Sequence, residues 1–263
     1  MNQKITIIGG GNLGQSIIYG LLNQGYSPSN LTITRQRVEL LSELSNHNVT
    51  ITSDNIKAVT NANIVIIAVK PHTIKSILNQ IGSKLNPNTI VISVVSDYSL
   101  KDIQSNLPNN ITTIFRAMPN TATEVLESIT CIAHSETAKN EQVKIVESLF
   151  NYLGKTVIIN ESLMNAATVL GACGIAYALR FIRAMMQGGI EIGFDAETAN
   201  LIATQTVKGA SELLLKNKRH PESEIDKVTT PKGCTISGLN EMEHNGFSAA
   251  LIKGLKTSFN KLD

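Results

Sequence analysis

The 263-residue sequence lacks most features that would mark a secreted, fibrous or nucleic-acid-binding protein. It has three cysteines, Cys131, Cys173 and Cys234, odd in number, far apart and without Cys-x-x-Cys spacing. That pattern excludes a disulfide framework and a cysteine zinc site. A reducing, cytoplasmic compartment is the simplest expectation. Seven prolines and 18 glycines are too few for a collagen-like or low-complexity chain. No sign of charge dominates: 23 basic residues face 21 acidic ones, a formal net charge of +2. No clustered basic footprint for nucleic acid follows from it. No cationic stretch followed by an apolar core opens the sequence, so a signal peptide is not expected. The five histidines, His47, His72, His134, His220 and His244, form no metal-ligand cluster, and no metal site is expected. One charge-free run, from Ser162 to Leu179, nears the lower length limit of a membrane span. Its Ser162, Asn165, Thr168, Gly171 and Gly174, with abundant alanine, read instead as a buried helix, and no membrane partner is expected.

What is present is ample core, 42% hydrophobic residues, in a length that suits one large or two modest domains. Strand-like runs recur at Lys4–Ile8, Leu31–Thr34, Ile64–Val69 and Ile90–Val95, and the last two are near-continuous Val/Ile. Such runs suit parallel strands buried on both faces. Helical patterns lie between them, at Leu13–Asn23, Val38–Ser45 and Ile74–Leu85. The alternation predicts an α/β fold with an open parallel sheet and right-handed crossovers. Ile111–Arg116, Ile129–His134 and Val157–Ile159 extend the strand count. After about residue 160 the texture turns helical: Leu163–Ile192, Ala196–Asn217, Ile236–Glu243 and Ala249–Asn260, apolar and alanine-rich. So small a helical domain cannot bury that surface on itself, which predicts packing against a second copy; covering the sheet is the alternative. The expected domains are therefore 1–160 and 161–263.

Gly9-Gly10-Gly11-Asn12-Leu13-Gly14 fits Gly-x-Gly-x-x-Gly through Gly9, Gly11 and Gly14. Alone it could be a structural turn. Following a strand and opening a helix, it reads as a dinucleotide loop whose free amides hold a pyrophosphate. Roughly 20 residues on, where NAD sites carry an acid for the ribose, stands Thr34-Arg35-Gln36-Arg37. Guanidiniums suit a 2′-phosphate, so NADP(H) is expected over NAD(H), unless Arg35 and Arg37 are merely solvated. Lys70-Pro71 closes the third long strand, where open sheets bind ligands, although a plain strand-ending turn fits as well. Nearer the C-terminus, Thr230-Pro231 reads as N-cap and first residue of a helix. The amides of Lys232, Gly233 and Cys234 would then be free to hold a carboxylate, with the Thr235 hydroxyl aimed at what the carboxylate is attached to. An ordinarily capped helix is the alternative. Gly171 and Gly174, in a helical pattern, suggest close approach of a ligand or of another helix.

With these residues in place, the chain resembles the pyrroline-5-carboxylate reductases along essentially its whole length. The resemblance rests on Ile8 to Gly14, Ala68-Val69-Lys70-Pro71, Arg116-Ala117-Met118-Pro119-Asn120-Thr121 and the segment Asp226 to Leu239. It implies a Rossmann-type N-terminal domain and an all-helical C-terminal domain that interlocks with a second subunit, with higher assemblies also possible. It implies reduction of the cyclic imine 1-pyrroline-5-carboxylate to L-proline with NADPH, NADH being possible. It places the substrate carboxylate at Thr230, Gly233 and Cys234, and gives Thr235 the catalytic role at the substrate nitrogen; Lys232, in a family glycine's place, keeps its amide for the same site, its side chain either assisting the anion or facing solvent. Together, the residue reading and the resemblance give as expected cofactor residues Gly9, Gly11, Asn12, Leu13, Gly14, Thr34, Arg35, Asn55, Ala68, Val69, Lys70, Pro71, Val95, Met118 and Asn120. There are departures. The family's Ser-Gly-Ser-Gly-Pro-Ala-Tyr is here Gly171-Ala172-Cys173-Gly174-Ile175-Ala176-Tyr177, its Ala-Ala-Gly near the nicotinamide is Val95-Ser96-Asp97, and its Pro-Gly-Gly is Pro231-Lys232-Gly233. Two rivals stay open: a β-hydroxyacid dehydrogenase, which would need a lysine that Gly171–Ala178 lacks, and a non-catalytic NADP-binding paralogue.

Overall fold

A computed structural model describes residues 3–262. Four strands rich in β-branched residues build the centre of its sheet: β1 (Ile5–Ile8), β2 (Leu31–Thr34), β4 (Ile64–Ile67) and β5 (Ile90–Ser93). β1, β4 and β5 are buried throughout, which explains their unbroken Val/Ile character. β3 (Thr50–Thr52) flanks β2, and β6 (Ile114–Met118), β7 (Ser128–His134) and β8 (Gly154–Ile158) complete the order β3-β2-β1-β4-β5-β6-β7-β8. All pairs are parallel except β6 with β7, so the sheet is mostly rather than wholly parallel. The reason is reach: residues 119–127 are too few for a crossover, so the chain must reverse.

The connecting helices are α1 (Asn12–Asn23), α2 (Ser42–Ser45), α3 (Asn55–Val59), α4 (Pro71–Ile81), α5 (Leu100–Ser105) and α6 (Asn140–Asn151). The pattern expected as a helix over Val38–Ser45 begins as a 3-10 turn, Val38–Leu41, before α2. One core cluster, centred on Ile5, Ile7, Ile33, Ile66 and Phe115, fills one side of the sheet; a second, with Ile8, Val65, Ile67, Ile74 and Leu78, fills the other. Side-chain alternation along the strands makes both, because neighbouring residues point to opposite faces.

By internal contacts the chain divides into two compact units, one running to Cys173 and one from Gly174 to Lys261. Ahead of the division lie α7 (Met164–Ala167) and a π turn, Thr168–Cys173. The second unit is α8 (Gly174–Glu191), α9 (Ala196–Asn217), α10 (Pro221–Asp226), α11 (Cys234–His244) and α12 (Phe247–Phe259). A Cβ on Gly189 would stand 3.2 Å from the Ala199 Cβ, so the glycine lets α8 and α9 pack closely. The Tyr177 hydroxyl and Ser258 Oγ, 2.6 Å apart, tie α8 to α12. Among the described residues of this unit only Ala199 and Ala203 are buried, while Leu179, Ile192, Leu201 and Leu215 are each at least 60% exposed. So little buried side chain leaves these helices with a large uncovered apolar surface.

Candidate functional site

The glycine loop leaves β1 at the point where the sheet order reverses, with β2 on one side and β4 on the other. Open α/β sheets bind their ligands in that crevice. The three motif glycines do three different things. Gly9 takes φ +109, and a Cβ there would run into the Ala68 carbonyl. Gly14 packs so close to the Gly9 carbonyl that it too can carry no side chain, while its neighbour Gly11 has nothing within 4 Å of a would-be Cβ. Gly11 is thus the open position over which a bulky anion can approach the backbone. Gly11 is also the N-cap of α1, with no side-chain cap and no acidic residue in the first turn, so the helix start offers bare amides and the positive end of its dipole.

A cleft of about 450 Å³ opens there, lined by Gly9–Gly11, Arg35–Arg37 and Ala68–Lys70. Its charged lining residues are Arg35, Arg37 and Lys70, all cationic. Arg35 is half-buried and donates from Nη1 to the Gly10 carbonyl at 2.7 Å, which clamps the loop; Arg37 is exposed. The cradle, the bare helix start and the cations fit a dinucleotide with an extra phosphate. Lys70 is the N-cap of α4 and Pro71 its first residue, so the proline starts that helix.

Other residues named from the sequence do not line this cleft. Thr34 donates its hydroxyl to Asn55 Oδ1 at 2.6 Å, and Asn55 Nδ2 donates to Gln80 Oε1 at 3.0 Å, so both side chains are engaged with the protein. The Thr34 carbonyl accepts the Gly9 and Gly10 amides, which fixes the loop from below. Val95 is buried just past β5, and Met118 ends β6. Asn120 is buried, and both ends of its side-chain amide are engaged. Its Oδ1 accepts from the Ala122 amide, its Nδ2 donates to the Gly171 carbonyl at 3.2 Å, and its own amide donates to Ser128 Oγ. Gly171 sits in the π turn, and a Cβ there would make only ordinary contact with Ile129, at 3.6 Å. Its carbonyl, bonded to Asn120, is the informative part of the π turn.

On the helical unit, the expected helix start moves. Thr230 is not an N-cap: Thr230-Pro231-Lys232-Gly233 is a turn in which the Gly233 amide donates to the Thr230 carbonyl at 2.9 Å. Lys232 takes φ +61, and proline followed by a left-handed residue is the type II arrangement. α11 begins only at Cys234, with Gly233 as an N-cap that has no side-chain bond. The Gly233 amide is therefore spent inside the turn, and the open first-turn amides are those of Cys234, Thr235 and Ile236. Gly233 is needed for space: a Cβ would stand 2.6 Å from Thr230 Oγ1. The turn thus brings the Thr230 hydroxyl against the start of α11, with Thr235 as its second residue. No hydrogen bond among the described residues engages the Thr235 hydroxyl, which is exposed.

Two units, each with a bare helix start, can be set beside known proteins. Residues 4–97 match the family description "NADP oxidoreductase coenzyme F420-dependent" and residues 161–263 match "Pyrroline-5-carboxylate reductase dimerisation". Pyrroline-5-carboxylate reductases 1 and 2 of Dictyostelium discoideum are each 44% identical, over 98% and 99% of this chain. The chain spans 49% of the first and 92% of the second. The chain belongs to the pyrroline-5-carboxylate reductase family.

Solved structures of the family agree in fold. The Plasmodium falciparum pyrroline carboxylate reductase, solved with NADP bound, superposes with a TM-score of 0.91 at 25% identity, covering 99% of this chain and 97% of that one. The Coxiella burnetii reductase gives 0.89 at 28% identity over 100% and 98%. A 3-hydroxyisobutyrate dehydrogenase from Mycobacterium tuberculosis shares the fold alone, at 0.56 and 12% identity over 74% and 68%. Against the family's pattern two departures acquire a common meaning. Asp97, where the resemblance puts glycine, has φ +57, and Lys232, likewise in place of glycine, has φ +61. The backbone keeps the glycine conformation at both positions, at a cost of roughly 1 kcal/mol each. Asp97 is the cheaper exchange, since aspartate visits this region readily.

One feature was not anticipated from the sequence. Arg116, on β6, is 95% buried and reaches Glu161 Oε1 from Nη1 at 3.2 Å. A lone arginine inside an otherwise apolar strand, Ile-Phe-Arg-Ala-Met, was the available signal, since buried charge is rare unless paired.

Proposed function

We propose that this protein reduces 1-pyrroline-5-carboxylate to L-proline with NADPH, the last step of proline synthesis, and accepts NADH less well. The observation that carries this reading is the cradle at residues 230–236: bare first-turn amides, a hydroxyl from Thr230 and a free hydroxyl on Thr235, within a chain of this family. Gly9, Gly11, Asn12, Leu13 and Gly14 hold the pyrophosphate, Arg35 and Arg37 the 2′-phosphate, and Ala68 to Pro71, Val95, Met118 and Asn120 border the rest of the cofactor. Thr34 and Asn55 act indirectly, through the hydrogen bonds that set the loop.

Bound, the cofactor supplies hydride for the carbon of the C=N bond. The cradle supplies orientation. The substrate carboxylate sits on the amides of Cys234 and Thr235, with the Thr230 hydroxyl and the Lys232 amide beside it, where the helix dipole favours negative charge. That turns a free encounter into an oriented one, the main source of rate. As the ring nitrogen becomes basic it needs a proton, and the Thr235 hydroxyl donates a hydrogen bond to it and relays a proton from water.

The exposed apolar helices of 161–263 pack against a second copy, giving a homodimer. The segment Glu161–Glu191, the one described stretch long and apolar enough to cross a membrane, lies in that family-matched region. We assign its exposed part, α8, to the subunit interface of a cytoplasmic enzyme that needs neither membrane nor nucleic acid. The functional boundary is placed at 160/161. Among the described residues no cluster of three or more His, Cys, Asp or Glu could hold a metal ion, and the reaction as written uses none. The test is consumption of NADPH on addition of pyrroline-5-carboxylate, with proline as product. Thr235→Ala should lose most of kcat and bind NADPH normally, while Thr235→Ser keeps much of it. No turnover with either nicotinamide cofactor would favour a non-catalytic paralogue.

A further inference from the structure

Arg116 occupies a place where an apolar residue would cost less. Its neighbours on β6, Ile114, Phe115, Ala117 and Met118, are all buried and apolar. Its side chain is 6% exposed, and only Nη1 is paired, with Glu161; Nε and Nη2 are buried without a partner. Replacing buried ion pairs by apolar residues is often neutral or stabilising, so stability alone does not account for a half-satisfied one. What the pair does hold is a turn. The same Glu161 oxygen that meets Arg116 also accepts the amide of Leu100, the first residue of α5. Leu100 directly follows residues 95–99, the segment with left-handed Asp97. From its other end, Ser99 and Asp102 lock the start of α5 in a capping box.

The place of this turn gives the pair a purpose. In the order β2-β1-β4-β5-β6, Arg35 follows β2 and the 95–99 turn follows β5, on opposite sides of the glycine loop. A dinucleotide lying across the strand ends with its phosphorylated ribose at Arg35 brings its nicotinamide end over β4 to β6. We propose that Arg116 and Glu161 are positioning residues for hydride transfer: through the Leu100 amide they set the 95–99 turn, and with it the pose of the nicotinamide ring. This rests on the cofactor reading above.

The test uses the full-length protein with Glu161→Gln, Arg116→Lys and Arg116→Met. Glu161→Gln keeps an oxygen for the Leu100 amide and removes the charge paired with Arg116, leaving Asp102 as the other carboxylate near it. Expected are an NADPH Kd within about threefold of the parent and a kcat lower by roughly ten- to hundredfold, as for a small misplacement of reacting groups. The deuterium isotope effect on kcat with C4-deuterated NADPH should rise, and Arg116→Lys should retain more activity than Arg116→Met. The emission of bound NADPH, which reports the ring's surroundings without turnover, should change in intensity in Glu161→Gln. A purely structural pair would lower Tm and leave kcat, isotope effect and bound-NADPH emission as in the parent, and that result overturns the proposal. If Arg116→Met does not fold, Glu161→Gln decides. If the parent turns over no pyrroline-5-carboxylate, the function reading fails, and unchanged emission in Glu161→Gln would sink the positioning role separately.

Discussion

Replacing Gly11 with alanine separates cofactor binding from folding. The backbone at Gly11, φ −79 and ψ −171, is open to any residue, and a Cβ there meets nothing within 4 Å. The substitution should therefore leave Tm within about 2 °C of the parent, the range of a surface change well under 1 kcal/mol. The added methyl stands where a pyrophosphate must approach the α1 amides. A hydrogen bond to a charged group contributes about 1.5–3 kcal/mol, so displacing one such bond weakens NADPH binding by roughly ten- to hundredfold. Gly14→Ala makes the contrast. Its Cβ would collide with the Gly9 carbonyl, a backbone atom that cannot swing aside. Forcing the start of α1 away costs about 1–3 kcal/mol of overpacking, set against about 1 kcal/mol gained in helix propensity, so Gly14→Ala should melt lower. Titration of NADPH followed by its own fluorescence suits a chain without tryptophan, and thermal melts give the second axis. Parent-like NADPH affinity in Gly11→Ala would refute the assignment of the loop.

Three further outcomes follow from the geometry. Arg37→Ser, at an exposed residue that braces nothing, should raise the KM for NADPH about tenfold and leave NADH nearly untouched; an unchanged NADPH/NADH ratio of kcat/KM removes the 2′-phosphate role. Lys232→Gly relieves left-handed strain of roughly 1 kcal/mol and adds a comparable unfolded-chain entropy, so stability should be equal or slightly higher. A loss of more than about 1 kcal/mol by denaturant melts would contradict the turn conformation. The Ser99 hydroxyl, donating to Asp102, holds that carboxylate below its ordinary pKa. A depressed folded pKa contributes stability that is present above the unfolded value, about 4, and is lost as pH falls through the folded one. The stability difference between the parent and Asp102→Asn should thus be flat above about pH 5 and shrink towards pH 3; a difference that stays level to pH 3 would show the carboxylate is not held this way.

The sheet domain was legible wherever burial imposes a pattern. Leu31–Thr34 and Ala196–Asn217 match β2 and α9 to the residue, since each is bounded by its own turn or cap. Ile64–Val69 and Ile90–Val95 overshoot β4 and β5, because apolar character continues where the backbone has already left the ladder. β3 escaped notice: three residues at the sheet edge, with Thr50 exposed, have no apolar run. α6 carried a readable stripe in Val146, Leu149 and Phe150, diluted by its charged outer face. The reversal between β6 and β7 could have been argued from loop length. At the substrate cradle, Thr-Pro reads equally as a helix entry or as the first half of a turn, and what decides is the left-handed Lys232, which the residue type argues against. Glu161 and Arg116 meet from 45 positions apart in sequence, a pairing that periodicity does not encode.

The central claim is that the start of α11 holds the substrate's acid group. A crystal structure with NADP+ and L-proline tests it most directly. The account predicts the proline carboxylate within hydrogen-bond distance of the Cys234 and Thr235 amides, and the Thr235 hydroxyl on the ring nitrogen. Proline bound in a different place, with residues 230–236 unengaged, would contradict it.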